Sequence, residues 1–133
     1  MHGHARQLMT SKVVSVSPGT TLEAVVRALD SSGFGGVPVV DAQGVPVGFL
    51  SETDVMRVLL TGAQLDLPAA EVMGAPIVVD EFETADHVMA KLRDGSAHHA
   101  LVVRDERLVG IISPNDVLRF FVKRELTPPP QRA

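Results

Sequence analysis

The sequence predicts an α/β (α+β) fold in which two β-α-β-β-α repeats pack together with approximate two-fold symmetry. Two observations carry that expectation. The chain of 133 residues repeats itself at an offset of 62 to 63 positions, and a fixed-period repeat takes precedence over any local pattern. Within each copy, β-branched runs and helical stripes also follow one another in the same order.

The alignment rests on several segments. Thr21-Leu22-Glu23-Ala24-Val25-Val26 meets Thr84-Ala85-Asp86-His87-Val88-Met89, and Val47-Gly48-Phe49-Leu50-Ser51 meets Val109-Gly110-Ile111-Ile112-Ser113. Asp54-Val55-Met56-Arg57 meets Asp116-Val117-Leu118-Arg119, and the opening Gln7-Leu8-Met9 meets Glu71-Val72-Met73. The repeats are expected over residues 5–62 and 69–124, with a connector around 61–68 and a flexible proline-rich tail at 125–133.

Each element has its own reason. Residues 13–16 are β-branched and predict a strand. Thr20-x-x-Glu23 predicts a capping box that opens a helix with Leu22, Val25, Val26 and Leu29 on one face. The second copy repeats that stripe as Ala85, Val88, Met89 and Leu92, which is a core face. Residues 37–40, a polar turn at 41–44 and residues 45–50 predict a hairpin, repeated at 101–103, 104–107 and 108–112. Second helices follow at 53–60 and 115–124. Neither copy can bury both of its faces alone, so the two must pack together.

Composition excludes several classes of function. The formal charge of −4 lacks the positive field that gathers nucleic acid, and without Trp or Tyr there is no stacking platform. No apolar run approaches the roughly 20 residues needed to cross a bilayer. The amino terminus, Met1-His2-Gly3-His4-Ala5-Arg6, has no signal-peptide core. The absence of cysteine removes disulfides, thiolate metal sites and a cysteine nucleophile, and agrees with a cytoplasmic setting. His2, His4, His87, His98 and His99 follow no ligand spacing, so no metal site is expected. No nucleophile elbow or paired-acid motif points to catalysis.

Chemistry concentrates in Ser51-Glu52-Thr53-Asp54 and Ser113-Pro114-Asn115-Asp116, at identical places after a Gly-apolar-apolar strand end. One reading is structural: Ser at the N-cap with an acid three residues on is a capping box, and Pro114 fits the first helical position. The other is functional. A helix N-terminus suits a phosphate, the serine hydroxyl can donate to it, and a short carboxylate one turn on can accept from both ribose hydroxyls. Arg57 and Arg119 can neutralise phosphate or pair with Asp54 and Asp116.

The segments Gln7-Leu8-Met9-Thr10, Val14-Ser15-Val16, Gly36-Val37-Pro38-Val39-Val40-Asp41 and Gly48-Phe49-Leu50-Ser51-Glu52-Thr53-Asp54 together resemble a cystathionine β-synthase (CBS) domain. So do Glu71-Val72-Met73, Pro76-Ile77-Val78-Val79 and Gly110-Ile111-Ile112-Ser113-Pro114-Asn115-Asp116. The chain as a whole resembles a tandem CBS pair, or Bateman module. That resemblance implies facing sheets, two clefts related by a pseudo-two-fold, and an adenosyl ligand such as AMP, ADP or ATP, with no obligatory cofactor. By the same resemblance Ser51 and Ser113 touch phosphate, and Asp54 and Asp116 hold ribose. Adenine contacts fall on Thr10, Val14, Val16, Val37 and Pro38, with Ile77, Val79, Ala100 and Leu101 opposite. His98 and His99 replace Gly35 and Gly36 in the second copy, where they narrow the cleft or supply donors.

The second helices are apolar over more than one stripe: Val55, Met56, Leu59 and Leu60 recur as Val117, Leu118, Phe121 and Val122. With the resemblance, this predicts a homodimer through these helices. The expected function is a stand-alone regulatory protein whose nucleotide shifts the orientation of the repeats and so signals to a separate effector protein. The competing expectation is a dimerisation scaffold whose Ser-x-x-Asp segments are helix caps alone.

Overall fold

The computed structural model describes residues 2–62, 64–95 and 98–126; the prolines of the tail, Pro128 to Pro130, lie outside the described residues. The helices are α1 (Ala5–Leu8), α2 (Leu22–Ser32), α3 (Glu52–Leu60), α4 (Ala85–Asp94) and α5 (Pro114–Arg124). The strands are β1 (Gly36–Val40), β2 (Pro46–Ser51), β3 (Ile77–Asp80), β4 (Ala100–Arg104) and β5 (Arg107–Ile112), and a 3₁₀ turn spans Ala69–Glu71. β1 pairs antiparallel with β2. β4 pairs parallel with β3 and antiparallel with β5. The two β-α-β-β-α units are thus present, with one difference between them.

The difference is the first strand. Residues 77–80 form β3, but of the predicted strand at 13–16 only Val16 pairs, by a parallel bridge to Val39. It occupies the place that Val79 takes beside Val102. Pairing ends there because a turn begins at once: the Thr20 hydroxyl accepts from the Ser17 N–H at 3.0 Å and meets the Ser17 hydroxyl at 2.9 Å. The same turn corrects the cap of α2. With Thr20 engaged, Thr21 is the N-cap, its hydroxyl accepting from the Ala24 N–H at 3.3 Å. No Thr20–Glu23 box forms. In the second copy Thr84 caps α4 in the same way, accepting from the His87 N–H.

At α3 and α5 the capping boxes do form. Ser51 accepts from the Asp54 N–H at 3.1 Å while Asp54 accepts from the Ser51 N–H at 3.0 Å. Ser113 and Asp116 repeat the exchange at 3.3 and 2.7 Å. Because the serine is the cap, each helix begins one residue earlier than the apolar pattern alone suggests, at Glu52 and at Pro114.

Packing ties the repeats together by exchanging their first segments. Ala5 and Leu8 of α1 are buried with Val79, Val88, Ile112 and Phe120, so the chain's start completes the second repeat's core. The backbone follows, Ala5 N–H donating to Glu83 at 2.8 Å and Ala85 N–H to Gly3 at 3.0 Å. Reciprocally, Ala69 of the 3₁₀ turn is buried with Leu22, Val25, Val37, Leu50 and Val55. A third cluster, Phe49 with Leu101 and Ile111, lies between them. The bridges come in matching pairs, His4 to Thr84 with Thr21 to Pro68, and Thr10 to Ile111 with Gly74 to Phe49. Such reciprocity is what a two-fold relation requires.

This exchange also explains the glycine in each Gly-apolar-apolar-Ser segment. Any Cβ at Gly48 would collide with the Met73 sulfur, and one at Gly110 with the Met9 sulfur. Each methionine lies on the other repeat's hairpin, so the backbone beneath it must be bare.

Candidate functional site

Two clefts open where the repeats meet. The first, about 490 Å³, has Ser51, Thr53, Asp54 and Arg57 of the β2–α3 corner on one wall. Phe49, Gly74, His98 and His99 lie around it. The second, about 560 Å³, has Ser113, Asn115, Asp116 and Arg119 of the β5–α5 corner, facing Thr10, Phe34 and again His99. His99 alone of these borders both clefts among the described residues. Its ring stacks on Phe49 at 5.0 Å between centroids, tilted by 30°, and its Nε2 hydrogen-bonds the Phe34 carbonyl. That bond sets the proton on Nε2 in the neutral ring, since a carbonyl only accepts. Burial holds the imidazole below the ordinary histidine range, partly offset by the bond to Phe34.

The chemistry of each corner follows from its helix start. At the start of α3 the Glu52 N–H donates to the Gly35 carbonyl at 2.9 Å, and Pro114 at the start of α5 has no N–H. Each third N–H is taken by its serine cap. The Thr53 and Asn115 N–H groups are therefore what the corners offer, with the positive potential of the helix dipole. Arg57 pairs with Asp54 and Arg119 with Asp116, each at 3.5 Å, while both guanidiniums stay largely exposed. A corner of this kind can present a hydroxyl, a carboxylate and a cation to one ligand within a single turn of helix.

The carboxylates nevertheless differ. The Asp54 carboxylate accepts one hydrogen bond, from the Ser51 N–H at 3.0 Å, and its side chain remains 28% exposed. Asp116 accepts from the Ser113 N–H at 2.7 Å, from the Ser113 hydroxyl at 2.8 Å and from the Thr10 hydroxyl at 3.0 Å, and its side chain is 4% exposed.

Of the residues proposed from sequence, the structure gathers Ser51, Asp54, Arg57, His98 and His99 at the first cleft. It places Thr10, Ser113, Asp116 and Arg119 at the second. The proposed adenine contacts other than Thr10 line neither cleft. Val37, Pro38, Val79, Ala100 and Leu101 are fully buried, because the strand faces they occupy point into the cores. Val16 and Ile77 are half-buried against those cores, and Val14 is exposed away from both clefts. Phe49, Gly74, Ala75, Phe34 and Asn115 line the clefts without having been singled out for that role. Gly74 was discoverable, since the alignment of Met9 with Met73 puts it opposite Thr10.

The outer faces of α3 and α5 also divide. Val55 is buried and Val117 half-buried, so neither is free for a partner. Met56, Leu59, Leu60, Leu118, Phe121 and Val122 remain exposed. No helix is long and apolar enough to cross a membrane, and no cluster of metal-ligating side chains occurs, among the described residues.

Comparison with known proteins agrees with this architecture. The family model of the CBS domain matches residues 5–61 and again 69–123. The CBS domain-containing protein YhcV of Bacillus subtilis is 29% identical over 117 residues, covering 84% of this chain and 81% of that protein. A CBS domain protein from Pyrobaculum aerophilum, solved in complex with AMP, superposes with a TM-score of 0.80 at 24% identity, covering 90% of this chain and 98% of the other. The CBS domain pair of protein MJ0100, solved with 5′-methylthioadenosine and S-adenosyl-L-methionine, gives 0.82 at 22% identity over 94% of this chain and all of the other.

Proposed function

The chain belongs to the CBS domain family as a tandem pair, and from that premise we propose that it is a regulatory module that binds an adenosine nucleotide in the clefts between its repeats. One observation carries the reading: a hydroxyl, a carboxylate and an arginine stand together at the start of α3 and again at α5, each group opening on an inter-repeat cleft. In the proposed pose the serine hydroxyl and the Thr53 or Asn115 N–H take phosphate, and the aspartate takes the ribose hydroxyls. Arg57 supplies further positive charge at the first cleft, and His98 a hydrogen-bonding imidazole. The complexes of the relatives with AMP and with S-adenosyl-L-methionine support the ligand class.

In this reading the module regulates and catalyses nothing, needs no metal or obligatory cofactor, and works in the cytoplasm. A ligand spanning both repeats favours one relative orientation of them, and that preference is the signal. An effector protein receives it. The exposed apolar residues of α3 and α5 meet a second copy of the chain, forming a homodimer.

A second reading keeps one observation on its side. Both Ser-x-x-Asp segments form complete capping boxes without any ligand, as a scaffold with helix caps alone requires. Equilibrium dialysis of labelled AMP against wild type and Asp54→Ala separates the two. Loss of a charge-assisted ribose bond is expected to weaken binding roughly 10- to 100-fold. The scaffold reading requires no binding by either protein.

A further inference from the structure

We propose that Thr10 makes the two clefts unequal, so that nucleotide binds at Ser51–Asp54 in preference to Ser113–Asp116. The inference rests on the nucleotide-binding reading above and adds which cleft works and what decides it.

Thr10 and Gly74 follow Met9 and Met73, which cover the two hairpins in the same way. Their backbones pair identically: Thr10 exchanges bonds with Ile111 at 2.9 and 3.0 Å, and Gly74 exchanges bonds with Phe49 at 2.9 and 3.0 Å. Only the side chain differs. Where Gly74 has none, the Thr10 hydroxyl donates to Asp116 Oδ1 at 3.0 Å.

The consequence spreads through the corner. With Oδ1 taken by Thr10, Oδ2 of Asp116 holds both the N–H and the hydroxyl of Ser113. The serine proton is then spent within the corner, and the Asp116 carboxylate, 4% exposed and 3.5 Å from Arg119, already accepts three hydrogen bonds. At the first cleft the Asp54 Oδ1 faces only Arg57 at 3.5 Å, and the Ser51 hydroxyl has no acceptor among the described residues. A ribose at Asp116 competes with the Thr10 hydroxyl for an almost buried carboxylate, whereas Asp54 is more exposed and its Oδ1 accepts no hydrogen bond from a hydroxyl among the described residues. The linings of the two clefts differ as well. The first cleft presents two imidazoles beside Arg57, while the second presents Phe34 and one imidazole beside Arg119.

Isothermal titration of the full chain, freed of co-purified ligand, with AMP tests this directly. Wild type is expected to bind one AMP per chain tightly, Asp54→Ala to weaken that site roughly 10- to 100-fold and Asp116→Ala to leave it unchanged. Thr10→Gly is expected to tighten the second site by roughly 10- to 100-fold, the worth of one charge-assisted hydrogen bond. Thr10→Ser retains the hydroxyl and should stay one-sited. Gly74→Thr is expected to weaken the first site by a similar factor; a Cβ there meets nothing closer than 3.9 Å, so it fits. Far-ultraviolet melting curves establish that each variant is folded. Two equal sites in wild type, or an unchanged second site in Thr10→Gly, overturn the proposal and leave the nucleotide reading standing. No AMP bound at either cleft overturns both.

Discussion

At the scale of single residues, Asp54 and Asp116 have the same sequence neighbours and cap the same kind of helix, yet the 28% and 4% exposure of their side chains sets them apart. Their types and spacing were legible in the sequence, because a capping box and a phosphate corner both need Ser-x-x-Asp. Their difference was not, because it depends on Thr10, 106 positions away from Asp116. His99 is a similar case. Its pairing with the Phe34 carbonyl and its stacking on Phe49 are contacts between repeats, invisible to any local window. Burial keeps this imidazole's pKa below its ordinary value. Between the folded and unfolded values the unfolded chain therefore binds the extra proton, and stability rises with pH. The contribution is whole above about pH 6.5 and is lost as pH falls below it. His99→Gln retains a donor for Phe34 without titrating. It is expected to shrink the fall in urea midpoint between about pH 7.5 and about pH 5.5; a fall as large as wild type's would show that His99 does not carry it.

At the scale of elements, periodicity identified all four long helices and both hairpins, since each buries a stripe or a face that the sequence must write out. It overestimated the strand at 13–16, where the turn through Ser17 and Thr20 stops pairing after Val16. It also could not show that α1 belongs to the second core and the 3₁₀ turn to the first, because exchange leaves the order of elements unchanged. On α3 and α5 the apolar residues split between inward Val55 and Val117 and outward Met56, Leu59, Leu118 and Phe121. That outward set is the proposed contact with a second copy. Sedimentation velocity is expected to find wild type at about twice the 14.2 kDa chain mass. Met56→Glu with Leu118→Glu should sediment as the single chain with little change in unfolding midpoint, since exposed positions contribute little to the fold. A monomeric wild type would remove the dimer from the account.

At the scale of the whole molecule, the exchanged segments and the central Phe49–Leu101–Ile111 cluster bind the repeats into one body, and the clefts are the gaps their symmetry leaves. Duplication is what made the architecture readable. The adenine contacts implied by resemblance were not legible from local pattern, because both faces of these strands are covered: the adjacent pairs Val37 and Pro38, and Ala100 and Leu101, are all buried. A ligand held by both repeats must stabilise the folded pair, because the unfolded chain has no cleft to offer. Thermal unfolding of ligand-freed protein with AMP, and with GMP as control, measures that coupling. At 100 times its dissociation constant AMP should add about 2.7 kcal/mol, a rise in midpoint on the order of 10 °C, falling to roughly 0.4–1.4 kcal/mol at the same AMP concentration in Asp54→Ala. An unchanged midpoint with AMP, ADP, ATP and S-adenosyl-L-methionine alike would contradict nucleotide binding and leave a scaffold with capped helices.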